Sequence, residues 1–246
     1  MSIPFDPIRQ VRRHLSALHA AGIEYVPKLK LSDTAASQTT FVDDPVVQAA
    51  PESRLQRIEL LAAEVAACVR CPELAATRTQ TVFGVGPLSP EVCFVGEAPG
   101  EDEDRQGEPF VGNAGQLLTK MILGMGFRRE EVYICNTLKC RPPGNTTPTP
   151  KQCANCRPFF EAQIELVAPK VICCLGDTAA KNVLKTTIGI AKLRGQWLNY
   201  RGIPVMCTYQ PSDLLREETA HFKKETWEDL KLILKKLGRE VPAVRK

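Results

Sequence analysis

Three short segments place chemically capable side chains directly after apolar runs. "EVCFVGE" (91–97) runs into "GEAPGEDEDRQGEPFVGNAG" (96–115), a loop forced by glycine and proline that carries five acidic residues between Glu97 and Asp104. "EVYICNT" (131–137) delivers Asn136, and "IPVMCTY" (203–209) delivers Gln210, followed by Pro-Ser-Asp-Leu-Leu-Arg. The acidic loop is no phosphate cradle, because the Gly-Lys-Ser/Thr ending of a P-loop is missing and carboxylates repel phosphate. Phe110 stands between Gly107 and Gly112, where a ring can offer its face to a flat ligand; a solvated turn is the plainer alternative. A carboxamide at a buried strand end needs hydrogen-bond partners. Its donor and acceptor match the edge of a base, the ordinary alternative being an asparagine that caps a turn.

The chain has ten cysteines. Cys68-x2-Cys71 and Cys153-x2-Cys156 read as two halves of a zinc site, and four thiolates serve an iron–sulfur cluster as well. Cys93, Cys135, Cys173, Cys174 and Cys207 fall inside apolar runs, where packing is the expected role.

The runs at 91–97, 131–137, 170–176 and 203–209 are short, continuous and rich in Val, Ile and Cys, as strands buried on both faces are. Helical patterns over 113–126, 152–167 and 177–185 alternate with them. That alternation predicts a three-layer α/β/α sandwich around a mainly parallel, four-stranded sheet. Ligands of such sheets bind beyond the carboxyl ends of the strands, which is where Glu97, Asn136 and Gln210 fall. Pro211 stops the last strand, since proline lacks an N–H for the ladder. A helix over about 52–69 and a closing helix over about 221–237 flank this region. Residues 5–22 show helical periodicity, and residues 26–52 are polar and irregular, so 1–50 is expected to be a helix plus a mobile arm. The main domain is expected at 51–240, with a tail at 241–246.

Composition narrows the class. The 246 residues are 43% hydrophobic and 24% charged, with 32 Lys+Arg against 28 Asp+Glu, a net charge of +4. These are values of an ordinary globular protein; they permit a polyanionic partner without requiring one. No stretch reads as an export signal or a membrane span. With that many cysteines, a reducing, cytoplasmic setting is expected.

Taken together and in order, "GEAPGEDED", "GEPFVGNAG", "NTLKCRPPGN" and "QPSDLLR" resemble the family 4 uracil-DNA glycosylases, the iron–sulfur type. The resemblance covers about residues 60–237. It implies a monofunctional glycosylase acting on uracil-containing DNA, single- or double-stranded, as a nucleoid-associated monomer, with no membrane partner. A base must leave the stack to be read, and uracil in a G·U pair unpairs cheaply. Phe110 would stack on the flipped uracil. Asn136 would accept from N3–H and donate to O4, excluding cytosine. Glu97, Ala98 and Glu103 would line the first motif, with the two glutamates as candidates to orient water or to stabilise positive charge on the sugar. Ala98 stands where an aspartate base is found in other glycosylases.

Gln210 departs from the family pattern, whose last motif begins with histidine donating to uracil O2. Losing such a donor costs about 10²–10³ in rate, but a glutamine NH₂ can donate over a similar reach. Retained, slower excision is expected; the alternative is a uracil- or abasic-DNA binder that has lost catalysis. Ser212, Leu214, Leu215 and Arg216 would contact DNA, one leucine wedging into the stack and Arg216 holding a phosphate. The resemblance also chooses among the cysteines: Cys68, Cys71, Cys140 and Cys156 as ligands of a [4Fe–4S] cluster, with zinc the alternative and Cys153 left over. "CRPPGNTTPTP" contains no histidine, so no covalent adduct with the abasic sugar is expected.

Overall fold

The computed structural model describes residues 53–217 and 221–242. The predicted helix over 5–22 and its linker lie outside them, as does the tail beyond Pro242. Five strands form one sheet in the order β2-β1-β3-β5-β4: β1 (Val92–Gly96), β2 (Tyr133–Asn136), β3 (Val171–Leu175), β4 (Leu198–Tyr200) and β5 (Ile203–Thr208). The pairs β1–β2, β1–β3 and β3–β5 are parallel, while β4 runs antiparallel to β5.

The predicted strand count of four is corrected by β4. This edge strand is three residues long, with a half-buried, exposed, buried pattern, so it lacks the apolar run that marks the others. Arg201 and Gly202 join it to β5, both with positive φ (50° and 88°), as a two-residue hairpin turn requires. An Arg-Gly pair does not advertise such a turn as Asn-Gly does.

Alternation along the strands sorts the core into two layers. Cys93, Val95, Tyr133, Cys135, Ile172, Cys174, Val205 and Cys207 face one side. There they meet α1 (Arg54–Ala66), α5 (Pro150–Val167) and α6 (Asp177–Leu184). Phe94, Ile134, Cys173, Leu175 and Met206 face the other, against α4 (Asn113–Gly124) and α8 (Phe222–Lys236). Short helices α2 (Pro72–Ala75), α3 (Glu101–Gln106) and α7 (Ile190–Leu193) complete the α-helices among the described residues. Ser53 caps α1 by accepting from the Gln56 N–H, with Gln56 returning the bond; Thr149 and Pro150 start α5 in the same manner.

One ionic link fixes where β5 ends. Asp229 on α8, 1% exposed, accepts from Arg194 Nε at 3.1 Å and Nη2 at 3.0 Å, and from Thr208 Oγ1 at 2.7 Å. Burial pushes the Asp229 carboxyl above its usual range against the pull of Thr208 and Arg194. Removing one member of a buried pair strands the other, at about 3–5 kcal/mol. Asp229→Ala is therefore expected to lose about 3 kcal/mol or more in urea unfolding; a loss below about 0.5 kcal/mol, the size of an ordinary surface change, would show that this link does not hold the strand.

Candidate active site

The carboxyl ends of β1, β2 and β5 open into one chamber of about 330 Å³. Its lining includes Glu97, Ala98, Glu103, Phe110, Asn136, Gln210 and Ser212, so the structure brings together the residues expected to read a base. It adds Pro142, Asn145 and Thr146, which come from the proline-rich stretch. Arg141 secures that wall, donating to Asn145 Oδ1 at 2.8 Å and to Glu101 Oε2 at 3.0 Å.

Asn136 is 2% exposed, and its Oδ1 has no hydrogen-bond partner. A buried acceptor left so is costly, about 1–3 kcal/mol, and asks for a ligand donor. Lys139 pins the backbone beneath it. This fully buried ammonium donates to Asn136 O at 2.8 Å, Phe83 O at 3.0 Å and Gln163 Oε1 at 2.5 Å. Two glycines hold the space clear. A Cβ at Gly96 would lie 2.3 Å from Asn136 Oδ1 and 2.5 Å from Phe110 Cζ. A Cβ at Gly176 would lie 2.8 Å from Gln210 Cβ. Neither glycine nor Lys139 stands out in sequence as part of a site; the signals were a strand ending in glycine and a single lysine between Leu138 and Cys140.

The two glutamates differ in what they do. Glu103 is engaged by the loop itself, accepting from the N–H groups of Gly100 at 3.0 Å, Val111 at 2.9 Å and Gly112 at 3.0 Å. Glu97 is pushed above the usual carboxylate range by burial; the charges of Asp213 and Asp177 act the same way, and a hydrogen bond from Thr178 opposes them. At the Gln210 corner, Leu214 is 2% exposed and packed inside, whereas Leu215 is 50% exposed. The tight turn over Asp213–Leu215 points the two adjacent side chains apart.

Cys68, Cys71, Cys140 and Cys156 line a second cavity with Arg70, Arg78, Leu74, Leu138, Gln152 and Asn155. Cys153 packs against the same Leu74, Leu138 and Cys140 but lines a different cavity, where Asn182 donates to its sulfur at 3.2 Å. The set that shares this cavity with Cys156 has Cys140 where the Cys-x2-Cys spacing put Cys153. Cys153 and Cys156, three apart on α5, lie about 60° apart around the helix, close enough to pack against one cluster yet open to different cavities, and Cys140 lines the cavity of Cys156. Three of the four sulfurs accept N–H hydrogen bonds: Cys140 from Arg78 Nη1 at 3.0 Å, Cys156 from the Lys139 N–H at 3.3 Å, and Cys71 from Asn155 Nδ2 at 3.4 Å. Such donors favour thiolates, while burial pushes the Cys156 thiol up to about 11. The donor set fits a sulfur-bound metal centre.

A mostly parallel sheet with a chamber at its strand ends and a separate four-cysteine cavity defines an α/β domain. Residues 83–231 match the family model described as the uracil DNA glycosylase superfamily, and the chain belongs to that superfamily. It is 44% identical over 193 residues to a type-4 uracil-DNA glycosylase of Thermotoga maritima, covering 76% of this chain and 99% of the relative. It is 39% identical to the type-4 enzyme of Archaeoglobus fulgidus (77% and 98% covered) and 38% identical to that of Sulfurisphaera tokodaii (73% and 84% covered).

The glycine at the end of β1 yields a sharp prediction. In Gly96→Ala the new methyl must displace Asn136 or Phe110, so activity at the chamber should fall by about a hundredfold, the scale of a 1 Å misplacement, with folding retained by circular dichroism. Unchanged kcat/KM would show that the chamber is looser than these contacts imply.

Proposed function

We infer that the chain is a uracil-DNA glycosylase: it flips uracil out of DNA into this chamber, hydrolyses the N-glycosidic bond and leaves an abasic site. The observation that carries the reading is the buried, unpartnered Oδ1 of Asn136. Uracil offers N3–H to that oxygen and O4 to the neighbouring Nδ2. Cytosine offers an acceptor and an amine, leaving both sides of the carboxamide unpaired, each at about 1–3 kcal/mol. Phe110 supplies the apolar face for the ring, and Ala98 leaves room beside it.

As the C1′–N1 bond breaks, its electron pair passes to the base and positive charge grows on the sugar. Gln210 donates its amide to the oxygen of uracil that gains charge, O2. Glu97, whose carboxyl is not engaged by the loop as that of Glu103 is, faces the sugar and orients the water that completes hydrolysis. Leu215 fills the gap in the stack, Arg216 holds a phosphate, and Ser212 at the chamber mouth contacts the strand. Cys68, Cys71, Cys140 and Cys156 hold a [4Fe–4S] cluster. The four cysteines line one cavity, and four thiolates are the donor set that such a cluster would need. When bound, the cluster supplies a cross-link between the chain around Cys68–Cys71, the loop after Asn136, and α5. The acting form is a monomer, and uracil-containing DNA, single- or double-stranded, is its partner.

Excision from labelled oligonucleotides, single-stranded and G·U-paired, followed by alkali cleavage, tests the reading. The wild type should cut both, and Asn136→Ala should be slower by about a hundredfold or more; a protein that binds but never cuts would overturn it. Purified protein should be brown with visible absorbance, and a colourless, zinc-containing protein would replace the cluster by zinc. Glu97 gives the pH dependence. Folding raises its pKa above the ordinary 4.5, so its contribution to stability is present below that value and is lost as pH rises through the raised one. Glu97→Gln should therefore unfold later than wild type at neutral pH. Excision should fall on acidification through the raised value, and Asp213→Asn, which removes a like charge, should move that fall to lower pH. An unmoved acid limb would take Glu97 out of the reaction.

A further inference from the structure

Phe110 has a backbone conformation that an aromatic residue rarely takes, with φ of 54°. Strain of this kind persists only where neighbouring groups over-determine it. Glu103 fixes one side of the loop through Val111 N–H and Gly112 N–H. On the other side is Arg129, in the short turn before β2 (Arg129–Glu131) and outside the chamber lining. Its Nη2 donates to Pro109 O at 2.6 Å, the carbonyl immediately before Phe110. Its Nη1 donates to Thr119 Oγ1 at 3.1 Å, and that hydroxyl donates to Gly115 O at 3.0 Å. Gly115 is the residue on which the Phe110 carbonyl rests, since a Cβ there would lie 1.9 Å from Phe110 O.

We propose that Arg129 is a positioning residue for uracil excision: its guanidinium staples both ends of the Pro109–Gly115 turn, and so holds the Phe110 ring where the flipped base stacks. This rests on the glycosylase reading above. The fork geometry matters, because two N–H groups in a fixed plane meet two acceptors on separate segments. A lysine is a single point donor and reaches one of them. The guanidinium is half-buried; burial acts against its charge, while Glu108 and Glu103 favour it. A carboxylate thus stands on each side of the turn that Arg129 closes.

The test is a double-mutant cycle on excision of uracil from a single-stranded oligonucleotide, because positioning through Phe110 must vanish when Phe110 is gone. Arg129→Met should lower kcat/KM by about tenfold to a hundredfold in the wild-type background and by less than about twofold in Phe110→Ala. Arg129→Lys should recover part of the loss. Thr119→Val, which removes the second anchor without reaching the chamber, should show the same dependence on Phe110 if Arg129→Met proves unable to fold. Equal losses in both backgrounds would reduce Arg129 to general stability and overturn the proposal, as would no loss at all. If Phe110→Ala leaves excision unchanged while Asn136→Ala abolishes it, the proposal falls but the glycosylase reading stands. If wild type itself does not excise, both fall.

Discussion

A carboxamide oxygen buried without a partner is the constraint around which this molecule is arranged. Asn136 ends β2 with Oδ1 unpaired, a state that folding alone opposes. Its backbone is held from below by Lys139, itself buried and satisfied by two carbonyls and Gln163. Gln163 in turn donates to Phe83 O and Tyr133 Oη, so the pin is anchored in α5, in the chain before β1, and in β2. The missing side chains of Gly96 and Gly176 then leave the strand ends bare. Stability is given up at one atom, and the compensating contacts are built beneath it.

The cysteine centre belongs to the same arrangement. Lys139 Nζ reaches Asn136 O while its backbone N–H reaches Cys156 Sγ, and Cys140 follows it in the chain. The loop leaving Asn136 is therefore tied within four residues to the four-cysteine cavity. A group that ordered that cavity would order the loop as well. At the opposite side of the chamber Asp229 and Arg194 do the corresponding work for β5, fixing Thr208 two residues before Gln210. Different chemistry, ionic in one place and amide-based in the other, serves the same requirement for rigid strand ends.

Much of this was legible in sequence because parallel strands buried on both faces leave unbroken apolar runs, and the four long runs became β1, β2, β3 and β5. The half-exposed β4 leaves no such mark. Glu97, Asn136 and Gln210 were legible because each ends or directly follows a run, so that topology alone brings them to one rim, and Phe110 because it is an aromatic residue set between glycines in the loop after β1. What spacing could not give was direction. Glu97 and Glu103 look alike in the acidic loop and both line the chamber, yet Glu103 alone of the two accepts three backbone N–H groups of its own loop. Cys153 and Cys156 share a motif but line different cavities, and adjacent Leu214 and Leu215 divide between core and surface. Arg129 was out of reach of any motif, since its partners are a main-chain carbonyl and a helix hydroxyl.

The most direct test of the account is inhibition of excision by free bases that differ at one atom. Uracil and 1-methyluracil present N3–H to Asn136 Oδ1, while 3-methyluracil replaces that hydrogen by a methyl group and keeps the ring, its stacking face and both carbonyls. The account predicts inhibition by the first two and none by 3-methyluracil at the same concentration. Equal inhibition by all three would mean that the buried oxygen is not what reads the base.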